Sequence, residues 1–148
     1  MIQKFSLTIQ NLNGLSEIIE EMKPFFKPHT LILIDGDLGA GKTTLTAGLL
    51  KSLGCDHVSS PTYALHQSYP IVIEQHRLSV EHLDLYRLEN EDEIESSGIW
   101  DLFSNRKNII VVEWPHRVSL DQWPLDWDKY LVKITRTENG RTYQIYSF

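Results

Sequence analysis

Residues 36–44 of this 148-residue chain read GDLGAGKTT, an arrangement of residue types suited to holding an anion. Gly36, Gly41, Lys42 and Thr43 satisfy G-x-x-x-x-G-K-[ST], and Gly39 adds a third glycine. The glycines let the backbone turn its N–H groups inward around a phosphate, and the positive end of a following helix adds to the attraction. Lys42 is a point charge able to reach β- and γ-phosphates, and the Thr43 hydroxyl is a hard ligand for magnesium. A chance match is expected on the order of once in a few hundred chains of this length. The nucleotide-binding candidates are therefore Gly36, Asp37, Leu38, Gly39, Ala40, Gly41, Lys42, Thr43 and Thr44. An inward carboxylate at Asp37 would repel phosphate, so Asp37 is expected to face outward.

Phosphoryl chemistry needs further groups: a carboxylate at the end of a neighbouring strand for magnesium, and a residue that handles the attacking water. Glu113 closes the run IIVVE, where a negative charge serves packing poorly, so Thr43 and Glu113 are the candidate metal ligands. Asp84, between Leu83 and Leu85 in HLDLYRL, can position or activate water; an ion pair with Arg87 is the competing reading. Thr62 follows Pro61, where a switch threonine sensing the γ-phosphate would stand, and a simple strand start explains the same tripeptide. Asp84, Thr62 and Lys42 are thus the catalytic candidates. The guanine-reading N-K-x-D is absent, as is D-x-x-G, which favours ATP over GTP.

These groups must be positioned by regular elements. TLILID reads as a central parallel strand buried on both faces, running straight into the glycine loop. After the loop, Leu45, Leu49 and Leu53 recur at helical spacing, Leu50 widens the stripe, and Gly54 is placed to end the helix. NIIVVEW is a second buried strand. Phe5, Leu7 and Ile9 alternate as in a half-buried first strand, and Asn13 or Ser16 can cap a short helix carrying Leu15, Ile18, Ile19 and Met22, closed by Pro24 and Pro28. SSPTYALHQSY and SVEHLDLYRL read as strands joined by a polar connector around Glu74 to Arg77. NEDEIESSGIWDLF suits helical segments interrupted near Gly98. The C-terminal run alternates around Asn139-Gly140, a strong hairpin signal, and WPLDWD reads as a surface loop.

Composition bounds the function. Length predicts a single domain over residues 1–148, and 41% hydrophobic with 23% charged residues predicts a packed core. No apolar run approaches a membrane span, and the alternating MIQKFSLTIQ lacks the unbroken apolar stretch of a signal peptide, so a cytoplasmic protein is expected. Cys55 is the sole cysteine, and His57, His66, His76 and His82 lack metal-ligand spacing. A net charge of −6 with scattered basic residues disfavours extended binding of a phosphate backbone, so a partner is expected to hold any nucleic acid.

GDLGAGKTT, SPTY, HLDLYRL and VEWPHR, in this order and in a chain this short, closely resemble the TsaE family of bacterial ATPases, also called YjeE. The matching motifs run from Gly36 to Arg117. The resemblance implies a P-loop α/β fold of three layers, with a mostly parallel, mixed sheet and a C-terminal hairpin. It implies a role in making threonylcarbamoyladenosine, the modified nucleoside beside the anticodon of tRNAs that read codons starting with adenosine. In that family a separate enzyme makes threonylcarbamoyl-AMP and a TsaD–TsaB pair transfers the group to tRNA. The TsaE-type protein binds the pair and hydrolyses ATP to keep it turning over. Carried over by residue, Lys42 and the loop backbone hold the phosphates, Thr43 and Glu113 serve magnesium, and Asp84 and Thr62 belong to the hydrolytic or switch apparatus. Trp114 joins the nucleotide site, with packing on the loop as a core or rim aromatic the competing role. The regions before Asn13 and around Asn139 are placed to border the nucleotide, without a local motif. No arginine finger is obvious, Arg87, Arg106 and Arg117 being the internal candidates, so slow hydrolysis alone is expected. A small-molecule kinase, which needs an arginine-bearing lid, and a nucleotide-gated binding module with little hydrolysis are the competing functions.

Overall fold

TLILID and NIIVVE have no polar face to offer solvent, so each must be covered on both sides, and they lie side by side at the centre of the sheet. The computed structural model describes residues 1–56, 58 and 65–148. Strands β1 (Ile2–Ile9), β2 (Thr30–Gly36), β3 (His66–Ile73), β4 (His76–Asp84), β5 (Asn108–Glu113), β6 (Asp128–Thr137) and β7 (Gly140–Ser147) form one sheet in the order β1-β7-β6-β2-β5-β4-β3. β6, β2, β5 and β4 run parallel, and the strands outside them are antiparallel to their neighbours. The expected α/β architecture, with its mixed sheet and C-terminal hairpin, is the one observed.

Two helices, α1 (Leu15–Met22) and α2 (Lys42–Ser52), bury their apolar stripes with Ile32, Ile34, Ile109 and Val111 on one face of the sheet. Helix α3 (Glu91–Ser96) and a 3₁₀ turn at Ile99–Ser104 cover the other face, where Leu31, Leu33, Ile110 and Val112 point. Each such side chain contributes about 1.5–3 kcal/mol by leaving water. Gly98, at φ 80°, makes the left-handed break between the two helical pieces. Among the described residues no helix is long and apolar enough to cross a membrane.

Four local expectations are corrected. Neither Asn13 nor Ser16 caps α1, because the chain enters through a 3₁₀ turn at Leu12–Gly14, capped by the Asn11 side chain, and Gly14 precedes the helix. The β3–β4 connector is only Glu74 and Gln75, both at positive φ (49° and 67°), and His76 and Arg77 already belong to β4. The C-terminal turn is Glu138 and Asn139, since Gly140 pairs with Thr137. Gly140 serves close approach instead: a Cβ there would collide with the Ile9 carbonyl of β1. WPLDWD is no plain surface loop, because Trp123 and Trp127 bury their indoles in the second core.

A polar cluster ties β3 to β4. Glu81 is buried and accepts hydrogen bonds from Ser68 Oγ, from Ser79 Oγ at 2.8 Å and from the His66 ring. Burial pushes its carboxyl pKa up, but the bonds from Ser68, His66 and Ser79 outweigh it, leaving the net below the usual 4.5. The ionised form is thus favoured by folding, so its stabilisation is full above that value and lost as pH falls through the lowered one. Glu81→Gln is expected to cost most stability near neutral pH, the deficit shrinking as thermal melts are taken from about pH 7 to about pH 3. A deficit independent of pH would contradict the assignment.

Candidate active site

β2 ends at Gly36, α2 begins at Lys42, and the loop between them turns on two left-handed glycines, Gly39 (φ 76°) and Gly41 (φ 105°). Gly36 is demanded by packing, because a Cβ there would lie 2.8 Å from the Ile134 carbonyl of β6. Lys42 is buried, and its ammonium closes the loop on itself. Nζ donates to the Gly36 carbonyl at 2.6 Å and to the Asp37 carbonyl at 2.9 Å, and it stands 4.2 Å from the centre of the Trp114 ring. Burial pulls the Lys42 pKa below its ordinary value, against the opposing charges of Glu113, Asp84, Asp35 and Asp37.

The parallel register brings two carboxylates to this loop. Glu113, the last residue of β5 and 1% exposed, lies level with Asp84 on β4 and Ile34 on β2. Its Oε1 accepts from Thr43 Oγ1 at 2.9 Å, and its Oε2 bonds His82 Nε2 at 2.5 Å. Asp84 accepts from the Tyr86 N–H at 3.0 Å. Burial raises the Asp84 pKa; the Tyr86 bond opposes this, Glu113 adds to it, and His82 and Lys42 oppose it. The result is a carboxylate more basic than an ordinary aspartate, which suits a proton acceptor.

A cavity of about 330 Å³ opens between the loop and these strand ends. It gathers Leu38, Gly39, Gly41, Lys42, Thr43, Thr44, Asp84, Glu113 and Trp114 from the expected set. Gly36, Asp37 and Ala40 do not line it: the first two give carbonyls to Lys42, Asp37 is itself exposed, and the Ala40 methyl packs into the core. Thr62 and the rest of its SPT tripeptide lie outside the described residues. Trp114 adopts φ 59°, which turns its ring over the cavity, 4.8 Å from the Tyr86 ring.

Leu12, Tyr86, Arg141 and Tyr143 complete the lining; Tyr86 stands within HLDLYRL without having been given a role, and no motif contains the other three. Leu12 and Arg141 fall in the regions before Asn13 and around Asn139, where only the family resemblance pointed. Arg141 comes from β7, whose turn from β6 lies at the loop end of the sheet, and its Nε is buried without a partner among the described residues. Its cross-strand neighbour Arg136 donates to the Leu38 carbonyl at 3.2 Å. Of the arginines considered from sequence, Arg106 pairs with Asp126 at 2.8 Å near the opposite strand ends, and Arg117 donates to the Tyr86 carbonyl at 3.0 Å.

The oxygen donors fit magnesium. Thr43 gives its hydrogen to Glu113, which leaves the hydroxyl lone pairs available to a cation beside the carboxylate. Among the described residues no three or more His, Cys, Asp and Glu side chains converge on a metal position. Two oxygen donors suit an ion that arrives with substrate phosphates and keeps several waters.

A phosphate loop between a central strand and a helix, at the carboxyl ends of parallel strands, defines an α/β protein of P-loop type. The sequence profile of the family described as "Threonylcarbamoyl adenosine biosynthesis protein TsaE" matches residues 9–143. The chain therefore belongs to the TsaE family, whose role is in tRNA threonylcarbamoyladenosine biosynthesis. The tRNA threonylcarbamoyladenosine biosynthesis protein TsaE of Haemophilus influenzae is 43% identical over 96 residues, which span 62% of this chain and 58% of that protein. The Bacillus subtilis protein of the same name is 34% identical over 130 residues, 82% of this chain and 77% of its own. The crystal structure of Bacillus subtilis YdiB superposes with a TM-score of 0.72 at 25% identity, covering 99% of this chain and 88% of that one.

Proposed function

We propose that this protein binds ATP with magnesium and hydrolyses it in support of tRNA threonylcarbamoyladenosine formation, coupled to a TsaD–TsaB pair. The observation that carries the reading is the Thr43–Glu113 bond, which sets two magnesium-type oxygens beside Lys42 and Asp84 in one cavity. Lys42 exchanges its bonds to the loop carbonyls for the β- and γ-phosphates, while the loop N–H groups hold the same oxygens. Thr43 and Glu113 hold the metal, which neutralises charge on the phosphates when bound. Asp84 orients the attacking water and takes its proton. Arg141 supplies positive charge from the hairpin side.

The loop tip is open, with Leu38 67% exposed, so water screens the site and weakens stabilisation of the transition state. That exposure supports slow turnover alone, and a partner that covers the tip would exclude the water and raise the rate. The tRNA is reached through the partners, in keeping with the net charge of −6. ATP turnover by the purified protein, alone and with the TsaD–TsaB pair of the same organism, tests this: stimulation of at least about 10-fold is expected. Tight ATP–magnesium binding with no stimulation would overturn the coupling and turn the search to a phosphoryl acceptor.

A further inference from the structure

Glu113 is gripped from two elements, by Thr43 at the start of α2 and by His82 on β4. Phosphate chemistry accounts for Thr43 but not for a histidine. His82 is fully buried, stays out of the cavity lining, and leaves Nδ1 without a partner among the described residues. For packing alone an apolar side chain of the same volume would serve better, because an unsatisfied buried nitrogen costs desolvation. The cost is accounted for at the other ring nitrogen. A carboxylate oxygen without a proton can only accept, so the hydrogen of this bond is on Nε2.

We propose that His82 is a positioning residue for the metal site: its Nε2–H fixes the plane of the Glu113 carboxylate and thereby sets the affinity for the divalent cation that accompanies the nucleotide. With one donor on each oxygen, at 2.9 Å and 2.5 Å, the carboxylate cannot rotate away from Thr43 without also breaking its bond to the buried His82. His82 touches neither the metal nor the phosphates. This inference rests on the ATP–magnesium reading.

Manganese, detected by electron paramagnetic resonance, is the probe, titrated into the full chain loaded with ADP; ADP affinity in EDTA is measured alongside. His82→Leu fills the volume without a donor, and His82→Gln puts an amide N–H where Nε2 stands. His82→Leu is expected to weaken manganese binding roughly 10- to 100-fold with metal-free ADP affinity within about 3-fold, and His82→Gln to stay within about 3-fold of the wild type. Wild-type manganese affinity in His82→Leu, or an equal loss in His82→Gln, would overturn the assignment. If His82→Leu does not fold, His82→Gln and the shorter His82→Asn carry the same comparison: retention by Gln and loss by Asn supports the role, and equal affinities overturn it. Wild-type protein whose ADP affinity gains nothing from manganese would overturn the inference together with the ATP–magnesium reading.

Discussion

Asp84→Asn is expected to lower ATP turnover in the presence of the partner pair by about 10²- to 10⁴-fold, the range for loss of a general base, while ATP–magnesium affinity holds or tightens. The substitution keeps an oxygen able to accept from the Tyr86 N–H, so the strand end retains its shape. It removes a negative charge that lies level with Glu113 and faces the position of the phosphates. Burial is the main cause of the raised Asp84 pKa, so above that pKa the ionised group costs the folded state stability. The variant should therefore melt no lower than the wild type at neutral pH. A lower melting temperature with normal turnover would make Asp84 structural, as an ion pair with Arg87 would have it. Normal turnover in any form would remove Asp84 from the hydrolytic apparatus.

Lys42→Met is expected to weaken ATP–magnesium binding by about 100-fold and to abolish measurable turnover. Hydrogen bonds to charged groups contribute about 1.5–3 kcal/mol each, and an ammonium bridging two phosphates makes two of them. The lysine gives up bonds to Gly36 O and Asp37 O to make them, so the net loss is smaller than the gross sum. Methionine preserves the unbranched stem against the Trp114 ring, which separates the loss of charge from the loss of packing. Isothermal titration with ATP and magnesium reads the effect directly. Affinity within about 3-fold of the wild type would mean that this loop does not hold the phosphates.

Much of the architecture was legible because it depends on neighbours in the chain. TLILID, the glycine loop and the Leu45–Leu49 stripe are contiguous, and both period and turn chemistry are local properties, so strand, loop and helix follow directly. Glu113 was legible for a similar reason: an acid closing an apolar strand is anomalous within six residues of sequence. The Gly98 break and the C-terminal hairpin belong to the same class, although the turn stands one residue before the Asn-Gly pair because Gly140 is needed for the approach of β1.

What lay beyond the sequence was set by strand order. His82 reaches Glu113 only because β4 packs beside β5 in parallel, and no periodicity links positions 31 residues apart. Arg141 and Tyr143 reach the cavity because β7 returns along β6 at the loop end of the sheet, roughly a hundred residues after the loop that they face. Trp123 and Trp127 sit in a segment rich in proline and aspartate that reads as a loop by local chemistry, and their burial was decided by the face of the sheet left uncovered. The sequence by itself determined the phosphate loop, its flanking elements and the acids placed to serve it. Tertiary structure alone decided which distant side chains orient those acids, because contacts across a sheet depend on register and order, which no local pattern encodes.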